Sequence, residues 1–138
     1  MYKRQEYDIQ GYAQLPKKGN ILFITKSMKD VMCLYEMGYT AISPSSESTF
    51  IPLDILEQLK RRFKSIIILF DRDIAGAKNS RKLSLKHGLE AMFVHKKFNA
   101  KDISDAVKLN GFDKVKKWLD ETINKGKRLE ESTKCNSK

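Results

Sequence analysis

Only two cysteines occur in the 138 residues, Cys33 in an apolar helical pattern and Cys135 in a polar stretch, so neither a disulfide framework nor a four-ligand zinc site is expected. His87 and His95 have no metal-ligand spacing with each other or with cysteine, which leaves both as structural or surface residues. No Gly-x-x-x-x-Gly-Lys-Ser/Thr run is present, which excludes a P-loop motor within these residues. The longest apolar runs are about five residues, against the roughly 20 that span a bilayer, and the first ten residues are too polar for a signal peptide. A cytoplasmic protein without membrane association is expected. Acidic residues are also scarce, 17 against 27 lysines and arginines, giving a net charge of +10.

What is there fits one soluble α/β domain, with 41% hydrophobic and 32% charged residues. The basic residues gather in Lys60-Arg61-Arg62, in Lys78, Arg81, Lys82 and Lys86, and between Lys96 and Lys117, where seven lysines face three aspartates. Polyanions are the obvious partners, and solvated helix faces are the alternative. Lysine outnumbers arginine, which suits phosphate contact better than base reading.

The chain reads as alternating strands and helices after an irregular lead-in over residues 1–19. Strands are expected at Ile21–Thr25, Tyr39–Ser43, Ile66–Phe70 and Ala91–His95. The first helix carries Met28, Val31, Leu34 and Tyr35 and stops at Gly38. A second, starting at Pro52, carries Leu53, Leu56, Leu59 and Phe63 on one face, and a basic third runs from Gly76 to His87 with Leu83 inward and Gly88 as its stop. Two more helices follow, Ile103–Leu109 and one bearing Phe112, Val115, Trp118, Leu119 and Ile123. The domain therefore spans 20–125, and residues 126–138 read as a polar, disordered tail. Such an order implies an α/β fold, a Rossmann-like and mainly parallel sheet of about four strands with helices on both faces. Ligands collect at the carboxyl ends of such strands, where Lys26, the Ser45–Thr49 loop, Asp71, Asp73 and the Lys96–Asp102 loop all fall.

The most informative stretch is Ile66-Ile67-Ile68-Leu69-Phe70-Asp71-Arg72-Asp73-Ile74-Ala75-Gly76. Residues two apart on an extended chain point the same way, so Asp71 and Asp73 can aim their oxygens at one hard cation, with Arg72 projecting away. A carboxylate after a strand can equally be a turn former or helix cap. Together with Ile21–Leu34 (ILFITKSMKDVMCL), this stretch resembles the Toprim domain, the metal-binding module of bacterial and phage DNA primases, topoisomerases and some nucleases. The family's Asp-x-Asp-x-Ala-Gly is matched at every defined position by Asp71 to Gly76. Its Glu-Gly-x-x-Asp is matched only at Asp30, because Lys26 stands where the glutamate is expected and Ser27 where the glycine is. A Lys-Asp pair after the last strand looks like Lys101-Asp102, with Asp105 following.

The resemblance implies nucleotidyl transfer with Mg²⁺, or Mn²⁺ in its place, at Asp71 and Asp73. It further implies a DNA primase component, or a fragment of a larger primase, making RNA primers on single-stranded DNA from ribonucleoside triphosphates. A replicative helicase or other primase domains would be its partners, and a phage-like source fits. Topoisomerase is disfavoured because no strand-passing tyrosine module is evident, and nuclease because Lys101-Asp102 looks like primase sequences. Lys101, Lys78 and Arg81 are candidates for phosphate or nucleic-acid contact. Three readings of Lys26 stay open. Its ammonium replaces one cation and meets a phosphate; or Glu47 or Asp102 supplies the missing carboxylate; or the site binds nucleic acid without catalysis, as an adaptor module. Asp30 suits the dipole at the start of the first helix, with Ser27 as its cap, and orienting the rim is its alternative role.

Overall fold

The computed structural model describes the backbone of residues 9–10, 15–44 and 51–136, and the side chains of 15–44 and 51–125. Glu47 and the Ser45–Thr49 loop lie outside the described residues. Among the described residues five strands and five α-helices follow in the order β1 (Ile9–Gln10), β2 (Gly19–Thr25), α1 (Met28–Glu36), β3 (Thr40–Pro44), α2 (Leu53–Arg62), β4 (Phe63–Leu69), α3 (Ile74–His87), β5 (Glu90–Met92), α4 (Ile103–Asn110) and α5 (Phe112–Asn136). The sheet order is β1-β3-β2-β4-β5, with β3, β2, β4 and β5 parallel and β1 antiparallel on the edge.

Side-chain alternation along the two central strands builds a core on each face. Phe23, Ile67 and Leu69 face Val31 and Leu34 of α1, Ile103 and Ala106 of α4, and Val115 and Leu119 of α5. Leu22, Ile24, Ile66 and Ile68 face Ile55, Leu56 and Leu59 of α2, with Leu83 of α3 packed against them. This two-sidedness follows from the strand order. The chain steps from β2 outward to β3, then back across β2 to β4. A right-handed crossover covers opposite faces for opposite steps, which separates α1 from α2.

Several boundaries differ from those read in the sequence. The lead-in is not wholly irregular, because Ile9 and Gln10 pair with Pro44 and Ser43. Phe63 is not on the α2 face: its backbone is extended (φ −122°, ψ 140°) and it opens β4 directly opposite Gly19 of β2. A Cβ at residue 19 would lie 2.7 Å from the Phe63 ring, so the glycine gives the ring its room. Leu53 is 64% exposed, since an amphipathic helix beginning after Pro52 turns its first residue outward. The last strand is shorter than expected because His95 leaves the sheet to cap a 3-10 turn at Lys96–Phe98, its Nδ1 accepting from Lys97 N–H at 3.0 Å. Residues 126–136, expected as tail, continue α5, for one glycine at 126 is too weak an interruption to end a helix that already has four turns.

Two of the three cations in Lys60-Arg61-Arg62 hold the fold together. Lys60 Nζ donates to the His87 carbonyl at 2.6 Å, at the end of α3. Arg62 donates to the carbonyls of Leu15 (3.5 Å), Pro16 (2.6 Å) and Lys17 (3.1 Å), fixing the segment that enters β2. Arg62→Ala is expected to lower stability by ~1 kcal/mol, read as a lower urea midpoint at unchanged slope. No change in midpoint would show that water replaces these bonds without cost. Among the described residues no helix is long and apolar enough to cross a membrane.

Candidate metal centre

The connections run in opposite directions on either side of the β2–β4 pair, so the carboxyl ends of these two strands form a topological switch point, the place where open α/β sheets bind ligands. Lys26 follows β2 and Asp71 lies two residues past the end of β4. Local capping then brings in residues from two helices. Ser27 caps α1, its Oγ accepting from Asp30 N–H at 3.4 Å, and Thr25 Oγ1 donates to the Ser27 carbonyl at 3.1 Å. That turn sets Asp30 in the first turn of α1, facing inward and 1% exposed. Asp102 caps α4: its Oδ1 accepts from Asp105 N–H at 2.8 Å and from Ser104 Oγ at 3.0 Å. Ser104 N–H donates to Asp30 Oδ1 at 3.0 Å, so one serine orients two carboxylates. Arg72 N–H donates to the Lys101 carbonyl at 2.6 Å and ties the turn after β4 to the turn before α4.

The result is a cluster of Asp30, Asp71 and Asp102, each presenting one oxygen within 4.8 Å of the others. Asp71 is 8% exposed, and Lys26 Nζ stands 3.9 Å from its Oδ2 at the outer edge of the cluster. Burial lifts the Asp30 carboxyl to about 6, against the pull of the Ser104 hydrogen bonds and with help from the charges of Asp102 and Asp71. Burial, and then the Asp102 charge, also push Asp71 up, while Lys26 and Lys101 hold it down. Three carboxylates held together partly out of water repel one another, and a bound cation relieves that repulsion. Hard, oxygen-only donors of this kind fit Mg²⁺ or Mn²⁺.

The structure thus brings together Asp71, Asp30 and Asp102, with Lys26 and Lys101 beside them. Asp73 is not in the trio. The chain turns at Arg72, so the alternation of an extended strand no longer applies, and Asp73 Oδ1 accepts from Gly76 N–H at 2.7 Å as the cap of α3. Its charge still bears on Asp71. Lys78 and Arg81 lie exposed on α3, outside the cluster. Asp30, favoured from sequence as a dipole partner, has that position and is a member of the cluster as well. Ser104 escaped the sequence reading; its signal was the place two residues after a capping aspartate, in Asp102-Ile103-Ser104-Asp105.

Neither a family model nor a curated protein matches the chain. Solved structures do. A DnaG primase catalytic domain bound to single-stranded DNA aligns at TM-score 0.58 and 21% identity, over 80% of this chain and 39% of that one. The primase fragment of the bacteriophage T7 primase-helicase protein aligns at TM-score 0.51 and 20% identity, over 72% and 43%. The Aquifex aeolicus primase, with zinc-binding and RNA polymerase domains, aligns at TM-score 0.53 and 22% identity, over 83% and 31%. The likeness is one of fold, and the chain spans less than half the length of each of these three neighbours.

Proposed function

We propose that this chain is the Toprim domain of a DNA primase, acting in Mg²⁺-dependent synthesis of RNA primers on single-stranded DNA as part of a larger primase. The observation that carries this reading is the joining of Asp71, from the Asp-x-Asp-x-Ala-Gly turn after β4, with Asp30 of the first turn of α1 and Asp102 at the start of α4. The fold shared with three primase structures supports it. Asp71, Asp30 and Asp102 are the residues that would hold the metal, with Asp73 steadying the turn through its cap on α3. A divalent ion at this position screens phosphate charge and orients the attacking oxygen. Lys101 and Lys26 flank the cluster with positive charge suited to triphosphate oxygens, and Lys78 and Arg81 offer contacts to a nucleic-acid backbone.

The Lys26–Asp71 ion pair favours a second reading, a nucleic-acid-binding module of the same fold that does not catalyse. Ribonucleotide incorporation on single-stranded DNA, measured with Mg²⁺ or Mn²⁺, separates the two. The expected result is short RNA products from the native chain, supplied where needed with the remaining primase domains, and at least about a hundredfold less from Asp71→Asn. Metal and DNA binding without incorporation under either condition overturns the primase reading and leaves the binding module.

A further inference from the structure

We infer that Lys26 is the second cation of this site: the cluster takes one divalent ion, and the Lys26 ammonium stands where a second would otherwise be needed, placed to meet a phosphate of the substrate. This inference rests on the primase reading for its substrate, but its metal stoichiometry can be tested without it.

The argument is one of charge and position. Asp30, Asp71 and Asp102 form the cluster, and Asp73, Lys26 and Lys101 lie near enough to act on Asp71 electrostatically. Among the described residues, four carboxylates against two ammoniums leave a deficit of two charges, which one divalent ion balances. A second divalent ion would bring two uncompensated positive charges into a site whose best-shielded carboxylate is 1% exposed, and such an excess is costly away from water. Glutamate at position 26 would deepen the deficit to four charges, the amount that two divalent ions balance. Lys26 also has the right reach. Its Nζ is 3.9 Å from Asp71 Oδ2, close enough to compete for that oxygen, and its side chain is 35% exposed, so the ammonium borders both the cluster and the solvent from which a phosphate arrives. An ammonium is a compact point charge with three donors, well suited to a phosphate oxygen and unable to ligate a metal while protonated.

The test is Mn²⁺ titration of the 138-residue chain by calorimetry and by electron paramagnetic resonance, comparing the native protein with Lys26→Glu and Lys26→Met. Circular dichroism and thermal melting check that both variants, altered at a solvent-facing side chain, are folded. The native chain is expected to bind one ion. Lys26→Glu is expected to bind two, with spin coupling between neighbouring ions in the resonance spectrum. Lys26→Met is expected to bind one ion roughly tenfold more tightly, because a positive charge has been removed from beside a ligand. Two ions in the native chain, one ion in Lys26→Glu, or an unchanged affinity in Lys26→Met each overturn the inference while leaving the primase reading standing. No ion in any of the three folded proteins overturns both.

Discussion

Gly76→Ala is expected to destabilise the protein by ~2–3 kcal/mol and to weaken Mn²⁺ binding at least about tenfold, although alanine is ordinarily the better helix former by ~1 kcal/mol. Gly76 is the third residue of α3 and is buried. A Cβ there would collide with the Asp71 carbonyl oxygen and lie 2.9 Å from its carbonyl carbon and 3.1 Å from Asp73 Oδ1. Two of those three atoms are backbone, so no rotamer change relieves the clash. Either α3 moves outward, breaking the 2.7 Å bond from Gly76 N–H to Asp73, or the chain after β4 moves and takes Asp71 out of the cluster. The expected fall in Tm is roughly 10 °C for a domain of this size. A Tm equal to or above that of the native protein would show that the turn accommodates a methyl group, and that the glycine serves something other than this close approach.

Asp30→Asn is expected to make the metal-free protein more stable and, on the primase reading, to cut the activity of the metal-loaded protein about a hundredfold or more. Burial raises the Asp30 carboxyl to about 6 from an unfolded value near 3.8, so the ionised group is costlier in the folded state than in the unfolded one. The sign is that of a raised acid. The cost is absent below about pH 4, grows as pH rises through the folded value near 6, and is complete above it, amounting to about 3 kcal/mol. Asparagine keeps an oxygen for the Ser104 N–H and carries no charge. Without metal, the variant should therefore exceed the native chain in stability by ~2–3 kcal/mol near pH 8, and the two should converge near pH 4. With excess Mn²⁺ the order should reverse if Asp30 is a ligand of the proposed site, because binding to the folded state adds stability by mass action. Ribonucleotide incorporation should fall by roughly 10²-fold or more. Parallel stability curves across this pH range would mean that Asp30 is not strained by its burial, and an unchanged metal affinity would remove it from the ligand set.

Much of this protein is legible in its sequence. Apolar runs of four and five residues marked the ends of β2 and β4 where Lys26 and Asp71 stand, and the spacing of Val31 and Leu34 gave α1 its buried face, since a strand or helix declares its period locally. Phe63 misled because an apolar residue four after Leu59 satisfies a helical period whether or not the helix continues. Only the pairing of Phe63 with Gly19 across the sheet settles its state. The same limit applies within the site. Both Asp71 and Asp73 have the chemistry of a metal ligand, and their spacing alone treats them alike. The turn at Arg72, fixed by a hydrogen bond to a carbonyl 29 residues further on at Lys101, joins Asp71 to the cluster and brings Asp73 Oδ1 onto the Gly76 N–H at the start of α3.

The sequence by itself determined the alternation of strands and helices and the rim on which the charged residues gather, because periodicity and residue chemistry are local properties. Only the tertiary structure decided that Asp30, Asp71 and Asp102 share one cluster and that Lys26 faces Asp71 across 3.9 Å. These residues come from the β2–α1 turn and the first turn of α1, the β4–α3 turn, and the start of α4, and their separation in space is set by how β2 and β4 pair and how α4 packs beside α1, quantities that no single stretch of chain contains.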